Sequence, residues 1–206
     1  MASLPIQRYT PEQYLEMDRQ AEGRSEYVAG EILAMAGASR EHNRITLNIG
    51  ASLTEQLRGK PCEPFTSDLR VKGRTTGSYL FPDVVAGCTP LEFEDSSLDI
   101  LLNPVVIIEV LSTTEAADRS WKFAHYRRLA SLSDYIMLSQ YQPFAEHYTR
   151  QAEDIWALME LSSLSDVIHL PSIGCDLPLS VIYERIEFPT SVERPLLTLT
   201  REDGAD

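Results

Sequence analysis

A chain of 206 residues, 43% apolar and 24% charged, has the make-up of one globular domain that buries roughly 70% of its unfolded surface. No apolar run approaches the ~20 residues that span a bilayer, and the N-terminus lacks the basic-then-apolar layout of a secretory leader, so a cytoplasmic protein without a membrane partner is expected. The formal net charge of −13 argues against a general duplex-coating role, because such binders draw their affinity from basic surface. It leaves room for an enzyme with a local basic strip, and it suits a site that collects divalent cations. Cys62, Cys88 and Cys175 form no CxxC pair and read as buried thiols rather than a zinc site or a disulfide set.

In chain order, "TPEQYLEMD" opens with a Thr cap and a Pro at the first helical position, which predicts a short helix. "RSEYVAGEILAMAG" reads as two short strands turning at Ala29-Gly30. "SREHNRITLNIGASLTEQLRG" is a helix: Ser39 caps it, Ile45, Ile49, Leu53 and Leu57 recur every four residues, and Gly59 stops it. Three strands follow, "CEPFTSDLRVKG", "SYLFPDVVAGC" and "NPVVIIEVLS". The last is apolar on both faces apart from Glu109, as a central strand would be. "TTEAADRSWKFAHYRRLA" reads as a second helix, "SDYIMLSQ", "FAEHYTR" and "DIWALMEL" as further strands, and "VIHLPSIGCDLPLSVIYERI" as a closing strand with a short helix. The order predicts an α/β (α+β) fold, a central mixed sheet flanked by helices, with an N-terminal hairpin and extra C-terminal strands. A single domain is expected over 1–187, with a frayed Pro- and acid-rich tail over 188–206.

One stretch resists this reading. "YLFPDVV" (79–85) is aromatic and β-branched, yet it holds a proline, which removes a ladder donor, and an aspartate, a poor strand residue. Asp83 alternates in phase with Tyr79, Phe81 and Val85, and Glu109 with Val105, Ile107 and Leu111. Each carboxylate thus shares a face with apolar neighbours, where it costs several kcal/mol unless paired, protonated or metal-bound. If the two strands are neighbours, both acids reach one hard cation such as Mg²⁺. In the following helix Asp118, Lys122 and Tyr126 are spaced four apart and share a face, so Lys122 can reach back to orient a water or steady a phosphate.

"PD", a second acid in "IIEV" and a later lysine resemble the PD-(D/E)xK nuclease signature, although the usual lysine position, two residues after the second acid, is Leu111. The motif is met when the lysine has migrated to Lys122. More widely, "YTPEQYLEMD", "EYVAGEILAMAGASREHNRI", "SDLRVK", "YLFPDVV", "NPVVIIEVLSTTEAADRSWKFAHYRRL" and "LPLSVIYERI" run in an order that resembles the Uma2-like endonuclease family, from about Tyr9 to Ile186. The resemblance implies a restriction-endonuclease-like fold with Asp83 and Glu109 as metal ligands, joined by the main-chain carbonyl of Val110, and Lys122 as the displaced catalytic lysine. The functional reading that follows is a metal-dependent phosphodiesterase with Mg²⁺ (or Mn²⁺) as cofactor and DNA as substrate. A homodimer with paired sites is expected from the small subunit.

Weaker candidates for substrate contact are His42, at the start of the long helix, whose ordinary reading is a satisfied structural histidine although the family pattern places it near the pocket; Asp68 and Arg70, on the strand face opposite Leu69 and Val71, which either pair across the sheet or contact substrate; and Tyr126, whose ordinary reading is core packing. Glu26 and Glu31 flank the early turn without a placed role. Arg40, Arg44, Lys72, Arg74, Arg127 and Arg128 are phosphate contacts or solvated surface. The rival functional reading, motivated by Leu111 and the acidic balance, is a catalytically inactive nuclease-fold protein that binds or assembles.

Overall fold

The computed structural model describes residues 7–35, 37–73, 76–111, 116–152 and 154–189; for residues 116–120 the backbone alone is described. The first helix, α1 (Pro11–Asp18), begins on a capping box in which the Thr10 hydroxyl accepts from the Gln13 N–H and the Gln13 side chain accepts from the Thr10 N–H. Strands β1 (Ser25–Val28) and β2 (Glu31–Ala34) form an antiparallel hairpin. Its turn residues, Ala29 and Gly30, have φ of 51° and 90°, the two successive left-handed positions that suit the twist of a two-residue hairpin. Helix α2 (Arg40–Leu57) starts where the Ser39 hydroxyl accepts the His42 N–H, and its four-residue apolar stripe is fully used: Ile45, Ile49, Leu53 and Leu57 are all buried.

Among the described residues, strands β3 to β13 and helices α3 and α4 follow. They are β3 (Cys62–Thr66), β4 (Arg70–Lys72), β5 (Tyr79–Leu80), β6 (Val84–Cys88), β7 (Ile100–Leu101), β8 (Pro104–Leu111), α3 (Ala116–Tyr126), β9 (Asp134–Ser139), β10 (Ala145–Ala152), β11 (Ile155–Leu161), β12 (Val167–Leu170), β13 (Cys175–Pro178) and α4 (Leu179–Ile182). The larger sheet runs β11-β10-β9-β8-β6-β3 and is mixed: β8 and β9 are parallel, joined across α3, and its other pairs are antiparallel. The smaller sheet runs β2-β1-β5-β4-β7, and β12 and β13 form a separate ribbon. One face of the larger sheet packs Val84, Ile108 and Ile136 against the stripe of α2 and against the β13–α4 corner. The other packs Val85, Ile107 and Tyr135 against Tyr126 and Leu129 at the end of α3. Burial on both faces explains why β8 is apolar apart from Glu109.

Several expectations are corrected. "SYLFPDVVAGC" is two strands: β5 belongs to the smaller sheet and β6 to the larger, and the chain crosses between them at Phe81-Pro82-Asp83. Pro82, which cannot donate to a ladder, falls at that crossing. "CEPFTSDLRVKG" divides in the same way around Ser67, at φ 54°, so β3 and β4 lie in different sheets. The closing segment supplies two strands rather than one. Cys62 and Cys88 are not free thiols: they stand opposite one another in the antiparallel β3–β6 pair and form a disulfide, with Cα atoms 3.9 Å apart, while Cys175 is a buried free cysteine. Their separation of 26 residues gives no hint of this, because register brings them together. Residues 190–206, most of the expected tail, lie outside the described residues. Among the described residues no helix is long and apolar enough to cross a membrane.

The smaller sheet is tied to α1 by an ion-pair network. The buried Arg70 guanidinium holds Asp18 and also Asp99 (2.7 Å), and lies 4.8 Å from the Phe81 ring centroid. The Asp18 side chain is only 1% exposed, so removing its partner leaves a buried, uncompensated charge. Arg70→Met is expected to lower unfolding free energy by about 3–5 kcal/mol in urea titrations; a loss under about 1 kcal/mol would contradict this account of the network.

Candidate functional site

The β6–β8 register pairs Val84 with Ile108, so Asp83, one step before β6, falls opposite Glu109. Opposed residues of an antiparallel pair point to the same face. The two carboxylates therefore meet although their residues are 26 positions apart. Asp83 is held from behind: its Oδ2 accepts the Val110 N–H at 2.7 Å, and its own carbonyl accepts the Ser67 N–H at 3.1 Å. Glu109 sits between Ile107 and Leu111 and is 6% exposed.

Lys122 completes the group from α3. Its Nζ lies 3.6 Å from Glu109 Oε1 and 3.1 Å from Glu26 Oε1, and the ammonium is buried with them. One turn further on, the Tyr126 hydroxyl donates to Glu109 Oε1 at 3.2 Å. Burial, reinforced by the Glu109 and Glu26 charges, pushes this phenol well above its usual range and keeps it a donor. Burial also pushes the Glu109 carboxyl up, to about 8; Lys122 and the Tyr126 hydroxyl oppose the rise, while Asp83 and Glu26 add to it. Desolvation outweighs the nearby ammonium.

Glu26, Asp83, Glu109 and Lys122 line one cleft of about 700 Å³, formed where the hairpin, the start of α2, the start of β6, the end of β8, and α3 converge, whereas the buried Tyr126 does not line it. His42 lines it too, its Nε2 3.2 Å from Asp83 Oδ2, so the helix cap at Ser39 also sets the imidazole beside the acid. Ser39 reaches Gln140, which donates to the Leu111 carbonyl at 3.0 Å and so ties the start of α2 to the end of β8. Glu26, which the sequence left without a role, is the missed member. A four-residue strand in which Glu26 and Tyr27 are both buried has no clean alternation to mark it.

The remaining candidates fall elsewhere. The Arg70 guanidinium is committed to Asp18 and Asp99, and the exposed Asp68 pairs with Arg24 at 3.0 Å; neither residue lines the cleft. Lys72 pairs with Glu94, Arg40 with Glu41, and Arg127 and Arg128 are exposed just beyond α3. Arg74 and the Asp118 side chain lie outside what is described.

The donor set suits a hard divalent cation. Asp83, Glu109 and the Val110 carbonyl offer oxygen alone, and a carboxyl whose charge is disfavoured by burial gains from a cation beside it. No cluster of three or more His, Cys, Asp or Glu side chains with metal-holding geometry occurs among the described residues, so waters and substrate oxygens would fill the rest of the shell.

Three comparisons bear on this arrangement. The family Uma2, described as "Putative restriction endonuclease", matches residues 11–181. "Uncharacterized protein sll1609" of Synechocystis sp. (strain ATCC 27184 / PCC 6803 / Kazusa) is 37% identical over 153 residues, 74% of this chain and 86% of the relative. "Uncharacterized protein slr1290" of the same organism is 32% identical over 187 residues, 90% of this chain and 97% of the relative. The fold matches a crystal structure from Anabaena variabilis ATCC 29413, described as a "putative nuclease belonging to DUF820", with a TM-score of 0.65 at 18% identity, covering 87% of this chain and 98% of that one.

The Glu109 shift has a stability consequence. A folded-state carboxyl raised from 4.5 to about 8 contributes stability that is full below the unfolded value and is lost as the pH climbs through the folded one. The melting temperature of metal-free protein should therefore fall between about pH 5 and about pH 9, and Glu109→Gln should flatten that fall. An equal pH response in both proteins would remove Glu109 as its source.

Proposed function

The chain belongs to the Uma2 family, and from that premise we propose that it is a metal-dependent endonuclease that hydrolyses phosphodiester bonds in DNA. The observation that carries the reading is the convergence of Asp83, Glu109 and Lys122 in one cleft, with the lysine arriving from α3. Asp83, Glu109 and the Val110 carbonyl would hold Mg²⁺ or Mn²⁺, which would supply Lewis acidity and lower the pKa of a water. The Val110 N–H fixes the Asp83 carboxylate from behind, and the Tyr126 hydroxyl fixes that of Glu109. Lys122 orients the attacking water or steadies the negative charge gathering on the phosphate, the work that a lysine at Leu111 would do in the usual motif. His42 contacts substrate beside Asp83. A homodimer presents two such sites, one to each strand.

Purified protein should nick plasmid or branched DNA with Mg²⁺ or Mn²⁺ and lose activity with a chelator. Asp83→Ala and Lys122→Met should each cost about 10²–10³-fold in kcat, measured on labelled oligonucleotides. Cleavage by Asp83→Ala at the wild-type rate would sink the assignment. Calorimetric binding of Mn²⁺ that ignores Asp83 and Glu109 would favour a non-catalytic nuclease-fold binder, the reading to which Leu111 and Lys122's ion pairs lend support.

A further inference from the structure

We infer that Glu26 is a positioning residue for the proposed nuclease reaction, fixing the migrated lysine and Asp83 relative to one another; this rests on the endonuclease reading above. One oxygen carries the argument. Glu26 Oε1 accepts the buried Phe81 N–H at 3.1 Å and lies 3.1 Å from Lys122 Nζ. The lysine is nearer to Glu26 than to Glu109, at 3.6 Å. Phe81 is two residues before Asp83, and Pro82 between them has no N–H. The Phe81 N–H is thus the last backbone donor before the catalytic acid. It has left the β5 ladder, and a buried N–H without an acceptor is unfavourable.

Glu26 meets that need and presents its charge to Lys122 at the same point. Its own position comes from β1, where it pairs with Leu33 across the hairpin, while the next residue, Tyr27, pairs with Tyr79 of β5. The hairpin therefore locates the ammonium and the approach to Asp83 from a single side chain. A lysine delivered by a helix rather than by the strand of Glu109 needs such a second anchor, since its four-carbon stem is flexible. Glu26 touches no reacting atom in this scheme, and it acts through Lys122 and the Phe81–Asp83 bend.

The test has a kinetic arm and an arm independent of activity. Glu26→Gln keeps an acceptor for Phe81 and removes the charge, and it should lower kcat about 10–100-fold while KM moves less than about 3-fold. Combined with Lys122→Met, it should cost little more than Lys122→Met alone, because both act through one group. Full additivity, or wild-type kcat in Glu26→Gln, would overturn the inference. Glu26→Asp, which keeps the charge on a shorter stem, should recover part of the lost kcat, whereas equal loss in both variants would indicate a merely structural role. The chain has three lysines, Lys60, Lys72 and Lys122, so side-chain NMR of labelled lysine resolves the ammonium directly. Glu26→Gln should move the Lys122 signal more than Glu109→Gln does, with Lys60 and Lys72 unmoved; an unmoved Lys122 signal refutes the inference even if the protein cleaves. If wild type cleaves no nucleic acid, the endonuclease reading falls, and the lysine signals still decide whether Glu26 holds Lys122.

Discussion

Glu109 imposes the constraint from which the site follows. A carboxylate on a strand buried on both faces cannot remain alone, because the several kcal/mol lost on leaving water must be met by charge, hydrogen bonds or a proton. Around it the fold gathers Lys122 and Tyr126 from α3 and Asp83 from the neighbouring strand. Two of these favour the ionised acid and Asp83 opposes it, and burial prevails. On the proposed reading, this carboxyl, still held toward its neutral form, gains from a cation beside it, as a fully compensated salt bridge would not.

The crossing at Phe81-Pro82-Asp83 lets the second acid meet the first without losing its mobility-limiting contacts. Because β5 and β6 lie in different sheets, the chain at Asp83 is at the seam between them, where a side chain can face both a packed strand and an open cleft. Within the larger sheet the Val110 N–H and the Ser67 N–H secure Asp83, and from the smaller sheet Glu26 secures Phe81. The proline is therefore no defect of a strand. It stands where the ladder has to end, its own φ fixed by the ring and the conformation of Phe81 before it restricted.

Much of this was legible in the residues. The four-residue stripe of α2, its Ser39 cap and the hairpin at Ala29-Gly30 are local signals, set by helical period and by turn chemistry, and they hold in the fold. The in-phase reading of Glu109 with Ile107 and Leu111 holds for the same reason, whereas Val105 packs with the other cluster, beside the register shift between Ala86 and Gly87. What failed was non-local. The in-phase alternation of Asp83 with Tyr79 crosses a sheet boundary that no period reveals, and the Cys62–Cys88 disulfide depends on strand register. For Arg70 the sequence leaves pairing and substrate contact open, because a basic residue in a strand carries no mark of the Asp18 and Asp99 that occupy it. Glu26 escaped notice since its partners, Phe81 and Lys122, lie 55 and 96 positions away.

The acidic balance of the chain acquires a local meaning in the cleft. With Glu109 held toward its neutral form, the charged lining is Glu26 and Asp83 against Arg24 and Lys122, two negative charges and two positive. Arg24 is itself occupied with Asp68 and the Ser67 carbonyl, which leaves the inner part of the cleft more acidic than this sum. A phosphodiester approaching such a surface alone is repelled. On the proposed reading a divalent cation reverses the sign, giving the inner cleft a positive charge that the acids hold in place. Substrate attraction then depends on the cation rather than on a basic surface, and a chain of net charge −13 can act on a polyanion without a basic strip of its own. On the same reading, the hold of Glu26 and Glu109 on Lys122 keeps an ammonium inside the cleft, where it offsets part of the charge of the acids.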